Sequence, residues 1–248
     1  YIVMKFMKNM KISYIGKCLL IEENGMKVLA VGDLHLGYEE ILNESGIFIG
    51  RKMFQEMIEY FDVLFEKIGG VDKIVLLGDV KHDFGKIYKQ EWSDVLGLLD
   101  YFYNHMNKNG EIVIVKGNHD TIIEPIARRA NVKVVDFYVF GRYCFLHGDK
   151  DFKEIYDKKI KYWITGHGHP AVKLSEGAKI ESYKCFLIGK FKEREVIIMP
   201  SFFDYREGSD PRDSDLGLAW ELDIEKFRVK VVGEDLKVLD FGVLGNIS

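Results

Sequence analysis

Glu111-Ile112-Val113-Ile114-Val115-Lys116-Gly117-Asn118-His119-Asp120 decides the reading of this chain: a run rich in β-branched residues ends on a glycine, an amide, an imidazole and a carboxylate. The run predicts a strand, and Gly117 permits a tight exit from it. Asn118 offers a neutral oxygen ligand, and His119 is placed to donate a proton beside a metal. Alone, the tetrapeptide is as well explained by a structural turn. Its weight comes from four clusters of the same make: Asp33-Leu34-His35, Gly78-Asp79, His147-Gly148-Asp149 and Gly166-His167-Gly168-His169.

Asp33 and His35 alternate about Leu34, so an extended backbone would send both side chains to one face. Asp79 stands at a strand mouth, where a carboxylate can bridge two cations, although the same dipeptide suits a helix cap or a turn. His167 and His169 flank Gly168, and two histidines so close are seldom core packing. Carboxylate, amide oxygen and imidazole, with no sulfur, form a ligand set for divalent ions. A metal so held can acidify a bound water from pKa about 15.7 toward roughly 7, and two ions about 3.5 to 4 Å apart can clamp a phosphoryl group. The chemistry indicated is hydrolysis of a phosphate ester.

Outward from the clusters, Lys17 to Glu22 and Met26 to Val31 flank Asn24-Gly25, which suits the positive φ angles of a type I′ turn and predicts a hairpin leading into Asp33. Further strands are predicted over Lys73 to Leu77, Glu111 to Val115, Tyr143 to Leu146, Lys161 to Ile164 and Glu195 to Met199, all but the last running into a cluster. Apolar residues at spacings of three and four predict helices over Arg51 to Ile68 and Gln90 to Met106. A shorter helix is expected over Thr121 to Ala130, with Pro125 in its first turn. Strands alternating with helices, then a strand-rich second half, give an α/β class. Residues 205–214 read as a polar loop. No repeat or domain boundary is evident, so residues 1–248 are read as a single domain.

At 248 residues, with 47% hydrophobic and 30% charged residues, the chain has enough apolar material for a full core. The formal net charge of -4 supplies no global field for nucleic acid. Residues 150–194 are lysine-rich, which reads more readily as a solvated face than as a phosphate-tracking patch. Cys18, Cys144 and Cys185 form no CxxC pair, which fits a reducing, cytoplasmic setting. Tyr1 to Met10 mixes lysines into an apolar run without a small-residue cleavage site, and no unbroken apolar run approaches roughly 18 residues, so neither export nor a membrane span is expected.

The order and spacing of the clusters resemble the calcineurin-like metallophosphoesterase superfamily, whose pattern reads D-x-H, G-D, G-N-H-[DE], H and G-H-x-H; the match runs from Asp33 to His169. The resemblance implies a four-layer αββα sandwich of two mixed β-sheets flanked by helices. It implies one metal on Asp33, His35, Asp79 and His169 and another on Asp79, Asn118, His147 and His167, with Asp79 shared. Both would be divalent ions, manganese first, with iron, zinc and nickel as alternatives. Water would attack phosphorus in line while His119 protonates the leaving oxygen or stabilises charge on it. Asp120 either orients His119 or caps the helix that follows.

Phosphoprotein phosphatases of this superfamily carry Asp three places after the bridging Asp, then Arg and Gly. Here the run is Asp79-Val80-Lys81-His82-Asp83, so a histidine replaces the carboxylate and the phosphate-gripping arginine is missing. His82 at this point resembles the SbcD-type repair nucleases, where it would sit near His119 and help to position a strand. Those enzymes continue into a DNA-capping domain, for which the residues after His169 leave no room; shorter archaeal SbcD-related phosphoesterases are more similar. The first expectation is therefore a metal-dependent phosphodiesterase acting on nucleic acid. A phosphodiesterase or phosphatase for a small or cyclic nucleotide is the second, and a metal-bearing scaffold without catalysis the third. The likeness also raises a homodimer and a helicase or ATPase partner. Phe202, Phe203 and Tyr205 are read either as base-stacking aromatics or, by preference, as core and rim. His105, late in the second helix, is read as a cation at the helix's negative end.

Overall fold

The structure, a computed structural model, describes residues 10–177 and 179–247. The N-terminal run read above lies, but for Met10, outside the described residues.

Asn24 and Gly25 take φ angles of 54° and 79°, the left-handed pair a type I′ turn requires. They join β2 (Cys18–Glu23) to β3 (Met26–Val31), and β1 (Met10–Ile15) pairs outside them. From β3 the chain crosses over through α1 (Tyr38–Glu44) and α2 (Met53–Ile68) to a parallel partner, β4 (Val71–Leu76). It crosses again through α3 (Lys89–His105) to β5 (Met106–Val115), and through α4 (Glu124–Arg129) to β6 (Lys133–Val135). The first sheet thus has six strands in sequence order.

The second sheet holds β7 (Phe137–Phe140), β8 (Tyr143–Leu146), β9 (Tyr162–Thr165), β10 (Ala171–Glu176), β11 (Lys179–Phe191), β12 (Arg194–Ile198), β13 (Arg228–Val232) and β14 (Val238–Val243). Its order is β14-β13-β11-β12-β9-β8-β7, with β10 paired to β11. β12, β9 and β8 run parallel and the other pairs antiparallel, so both sheets are mixed.

Alternation along the strands divides the core. On β2, Leu19 and Ile21 face the second sheet, where they meet a set including Tyr143, Phe145, Ile164 and Ile197; Cys18 and Leu20 face the helices. The stripe Met57, Phe61, Leu64, Phe65 and Ile68 of α2 packs with Val95, Leu98, Leu99 and Phe102 of α3 on the outer side of the first sheet. The outer side of the second sheet is covered by the 3₁₀ turns Lys153–Tyr156 and Ile224–Lys226 and by Leu216 and Trp220. The α/β fold with two mixed sheets inside helical layers is therefore as expected, with turns in place of long helices on one side.

Several strands escaped the sequence reading. β1, β7 and β14 lack clean burial alternation, and the first residues of the long β11, Lys179 to Glu181, are exposed. Strands that bury no clean face leave no period to read. The predicted third helix begins at Glu124 rather than Thr121, because residues 117–123 form a turn around Asp120.

Phe61 is fully buried among Phe65, Phe102 and Phe202. Phe61→Ala should lower the unfolding free energy by about 3 to 5 kcal/mol in urea titration; a loss below about 1 kcal/mol would contradict this packing.

Candidate metal centre

The five clusters meet because backbone zips them together at the strand ends. Asp33 N–H donates to the Gly78 carbonyl at 3.2 Å, His35 N–H to Asp79 at 2.8 Å and Leu36 N–H to Val80 at 3.0 Å, which binds the Asp33 loop to the Asp79 loop. The segment after β12 closes the other side: Phe202 N–H donates to Gly32, Phe203 N–H to Asp33, and the Ser201 hydroxyl to the Asp33 carbonyl. The one predicted strand without a cluster therefore also ends against the site.

The backbone here is unusual. Asp33, His35, Asp79, His167 and His169 have φ of 54°, 48°, 48°, 65° and 42°, in the left-handed region that costs an L-residue about 1 kcal/mol or more. This corrects the extended geometry expected of Asp33-Leu34-His35. Both side chains do reach the site, but through left-handed turns, while Leu34 and Leu36 anchor in the core. Glycines clear the space between: a Cβ on Gly78 would lie 2.6 Å from His147 Nδ1, one on Gly117 2.3 Å from Asp79 Oδ1, and one on Gly166 2.7 Å from Asp33 Oδ2.

Ligand atoms gather in two groups that share Asp79. Asp33, His35, Asp79 and His169 present atoms all within 4.8 Å of one another, as do Asp79, His147 and His167. The two oxygens of Asp79 are divided between them: Oδ2 lies 3.8 Å from His35 Nε2, and Oδ1 lies 3.4 Å from His147 Nε2. His169 Nε2 is 3.3 Å from Asp33 Oδ1. Asn118 Oδ1 stands 2.9 Å from His147 Nε2, and His167 Nδ1 is 3.1 Å from the same atom. All seven predicted ligands are brought together.

This donor set suits divalent cations. It has two carboxylates, one amide oxygen and four imidazoles, crowded round glycines, while the three cysteines are buried elsewhere in the cores. Burial pushes His35 down to about 3 despite Asp79 and Asp33, so the ring is neutral, as a ligand must be. His147 goes the other way. Burial alone would lower it, but hydrogen bonding and charge from Asp79 override this and push it up to about 9. Its Nδ1–H donates to the Leu77 carbonyl at 2.8 Å, which leaves Nε2 as the atom aimed into the site. Asp33 and Asp79 are disfavoured as anions by burial, yet the surrounding histidines hold both carboxyls below their usual range.

The other three predicted residues lie beside these groups. His119 Nε2 is 3.9 Å from Asp79 Oδ2, its N–H donates to Asp79 Oδ1, and its Nδ1 bonds the His82 carbonyl. His82 Nδ1 is 3.2 Å from His35 Nδ1, and burial, with His119 and Arg206 nearby, pushes it down to about 4. Asp120 fills neither of its expected roles. Its carboxylate accepts N–H groups from Gly117, Val80 and Lys81, tying the two central loops together. α4 begins later, after Ile123, and the His119 ring takes its direction from His82 instead. Burial, with Asp79 nearby, pushes Asp120 up to about 6.

The groups open into a cleft of about 390 Å³ whose lining also includes Phe84, Phe203 and Arg206. Phe202 and Phe203 are buried, so the core reading of these aromatics prevails for both, while Tyr205 sits at the rim with its hydroxyl on Glu39. Phe84 and Arg206 were missed in the sequence, where neither belongs to a cluster. In the lysine-rich stretch, Lys150, Lys173 and Lys179 pair with Asp149, Asp213 and Glu181, and the half-buried Lys184 donates to the Ser201 and Phe203 carbonyls. This favours the solvated-face reading. His105 stays with Phe65 and Tyr101, away from the ligand groups.

The profile of the calcineurin-like phosphoesterases matches residues 26–231. The chain belongs to this family. The phosphoesterase is accordingly a metal-dependent hydrolase. Among solved structures it is similar to the nuclease MPE of Pseudomonas putida, at 17% identity over 94% of this chain and 100% of that one, with a TM-score of 0.62. The phosphoesterase Yfce of E. coli aligns at 13% identity over 88% of this chain and 100% of that one, with a TM-score of 0.43. Among curated proteins none matches. No helix among the described residues is long and apolar enough to cross a membrane.

A proton on His147 and a cation at the same atom exclude each other. The unfolded imidazole titrates near 6.5 and the folded, metal-free one near 9. The associated stability is thus fully present below pH 6.5 and is lost as pH rises through about 9. Manganese affinity should rise over the same window, with proton release on binding. Calorimetry in buffers of different ionisation enthalpy reads this directly, and binding without proton release would contradict the assignment of His147.

Proposed function

We propose that the protein is a two-metal phosphodiesterase of nucleic acid, a nuclease of small footprint. The observation that carries the two-metal reading is the division of Asp79, with Oδ2 toward His35, which groups with Asp33 and His169, and Oδ1 toward His147, which groups with His167 and neighbours Asn118. The two divalent ions, manganese first, would supply charge neutralisation at the phosphoryl group and a water acidified for attack. The chain's own groups then define the rest. His119 stands at the cleft with Nδ1 occupied by the His82 carbonyl, so Nε2 is the atom that meets a leaving oxygen. With His35 Nε2 turned to Asp79 and His169, its Nδ1 proton points at His82, which burial keeps neutral and able to accept it. His82 thereby orients a ligand through its ring and the acid through its backbone. Asp120 holds the loops that carry Asp79 and His119.

The nucleic-acid substrate is supported by the fold shared with a protein named as a nuclease and by His82 in place of a phosphatase carboxylate. The same histidine supports kinship with SbcD-related archaeal enzymes. The cleft carries one arginine among its lining side chains, which favours a short contact over a long track and keeps a small nucleotide diester as the second reading. A single domain acting in the cytoplasm, as a homodimer and with a helicase or ATPase partner, completes the proposal.

With manganese, hydrolysis of a bis-aryl phosphate and of labelled single-stranded DNA should exceed hydrolysis of an aryl monophosphate; turnover of the monophosphate alone would overturn this ordering. His119→Gln should retain its metals and lose about 10² to 10⁴ in kcat, and unchanged turnover would refute the assigned acid.

A further inference from the structure

Two side chains at the mouth of the cleft are not used by the metals or the acid: Arg206 has no anionic partner among the described residues, and Phe84 packs on His119 yet leaves about half of itself to solvent. Arg206 is exposed, lines the cleft, and makes no hydrogen bond or ion pair among the described residues, although acids and carbonyls satisfy most other arginines of the chain. It lines the same cleft as His82, Phe84 and His119. A guanidinium is a planar fork of donors shaped for phosphate oxygens. Among the lining side chains it is the one permanent cation.

Phe84 is 52% exposed, an unusual state for a phenylalanine, and its ring centroid lies 3.7 Å from that of His119 at 32°. The ring does not hang on a slack loop. Asp83 Oδ1 accepts the N–H groups of Gly85 and Lys86 at 2.8 Å each. The buried Glu91 accepts those of His82 and Asp83, and the Phe84 carbonyl accepts the Thr121 hydroxyl. One face of an ordered aromatic ring is therefore held beside the leaving-group acid with an edge in solvent.

We propose that Arg206 and Phe84 form a nucleotide-gripping subsite: the guanidinium takes the phosphate next to the one that is cut, and the ring stacks on the base beside His119. The inference rests on the phosphodiesterase reading for its place in catalysis, but the binding it describes needs no metal. It makes the ligand a molecule with at least two phosphates and a flat base, which a simple aryl monophosphate cannot supply.

The test is equilibrium binding of a fluorescein-labelled oligothymidylate, and of an abasic oligomer of equal length, to the full chain in EDTA. Arg206→Ala should weaken both probes about tenfold and reduce the salt dependence of log K by about 0.7, the share of one phosphate on a single strand. Phe84→Leu should weaken only the base-bearing probe, by about tenfold. Lys190→Ala, at an exposed position on β11, should leave both unchanged. Equal losses from Arg206→Ala and Lys190→Ala, or no loss from Arg206→Ala, would overturn the phosphate contact. A Phe84→Leu effect that is absent or the same on both probes would overturn the stacking. Arg206-dependent binding without any diester hydrolysis by the manganese-loaded wild type would sink the proposed function and leave the subsite standing.

Discussion

Two carboxylates, Asp33 and Asp79, are buried within one small space with His35, His147, His167 and His169, and the rest of the molecule is arranged round that fact. Burying an ionised carboxylate is costly unless it meets opposite charge and donors. Here the backbone supplies part of the compensation, with His167 N–H on Asp33 and His119 N–H on Asp79. His147 supplies more: its hydrogen bond to Asp79 and the nearby carboxylate charges push its ring up to about 9 against the effect of burial. On the proposed reading, a pair of divalent ions would balance these carboxylates more completely.

The sheets exist in this form because such a convergence needs loops from many strands at one edge. β3, β4 and β5 of the first sheet and β8, β9 and β12 of the second all end at the site, and parallel order among neighbours puts their carboxyl ends side by side. Two lysines, the buried Lys17 and the half-buried Lys184, then fix the closing segment. Lys17 reaches the Phe202 carbonyl and the Asp204 carboxylate, and Lys184 reaches the Ser201 and Phe203 carbonyls. Through Phe203 N–H and the Ser201 hydroxyl this segment holds the Asp33 loop, so surface and core lysines have different work in this chain.

What could be read in the sequence was whatever its residues announce locally. The Asn24-Gly25 hairpin, the α2 and α3 stripes and the strands ending on clusters were legible because period and turn chemistry are short-range signals. β10 and the outer half of β11 were not: Val172 and Leu174 of β10 give too short a buried face to read, and the outer half of β11 is mostly exposed. Asp33 and His35 were placed in one site for an incorrect geometric reason, an extended backbone, whereas left-handed turns perform the task. Asp120 was misread because its partners, Val80 and Lys81, lie about forty positions away in sequence. Arg206 and Phe84 belong to no motif, and only the folded cleft brings them to His82 and His119.

On the proposed reading, Asp79 is shared by two ions. Metal content of the manganese-reconstituted protein, read by elemental analysis together with anomalous scattering at each position, tests it most directly. Wild type should hold two ions per chain on either side of Asp79, His147→Ala should hold one, and Asp79→Asn should lose both. A single ion in the wild type, or two ions retained in Asp79→Asn, would contradict the account.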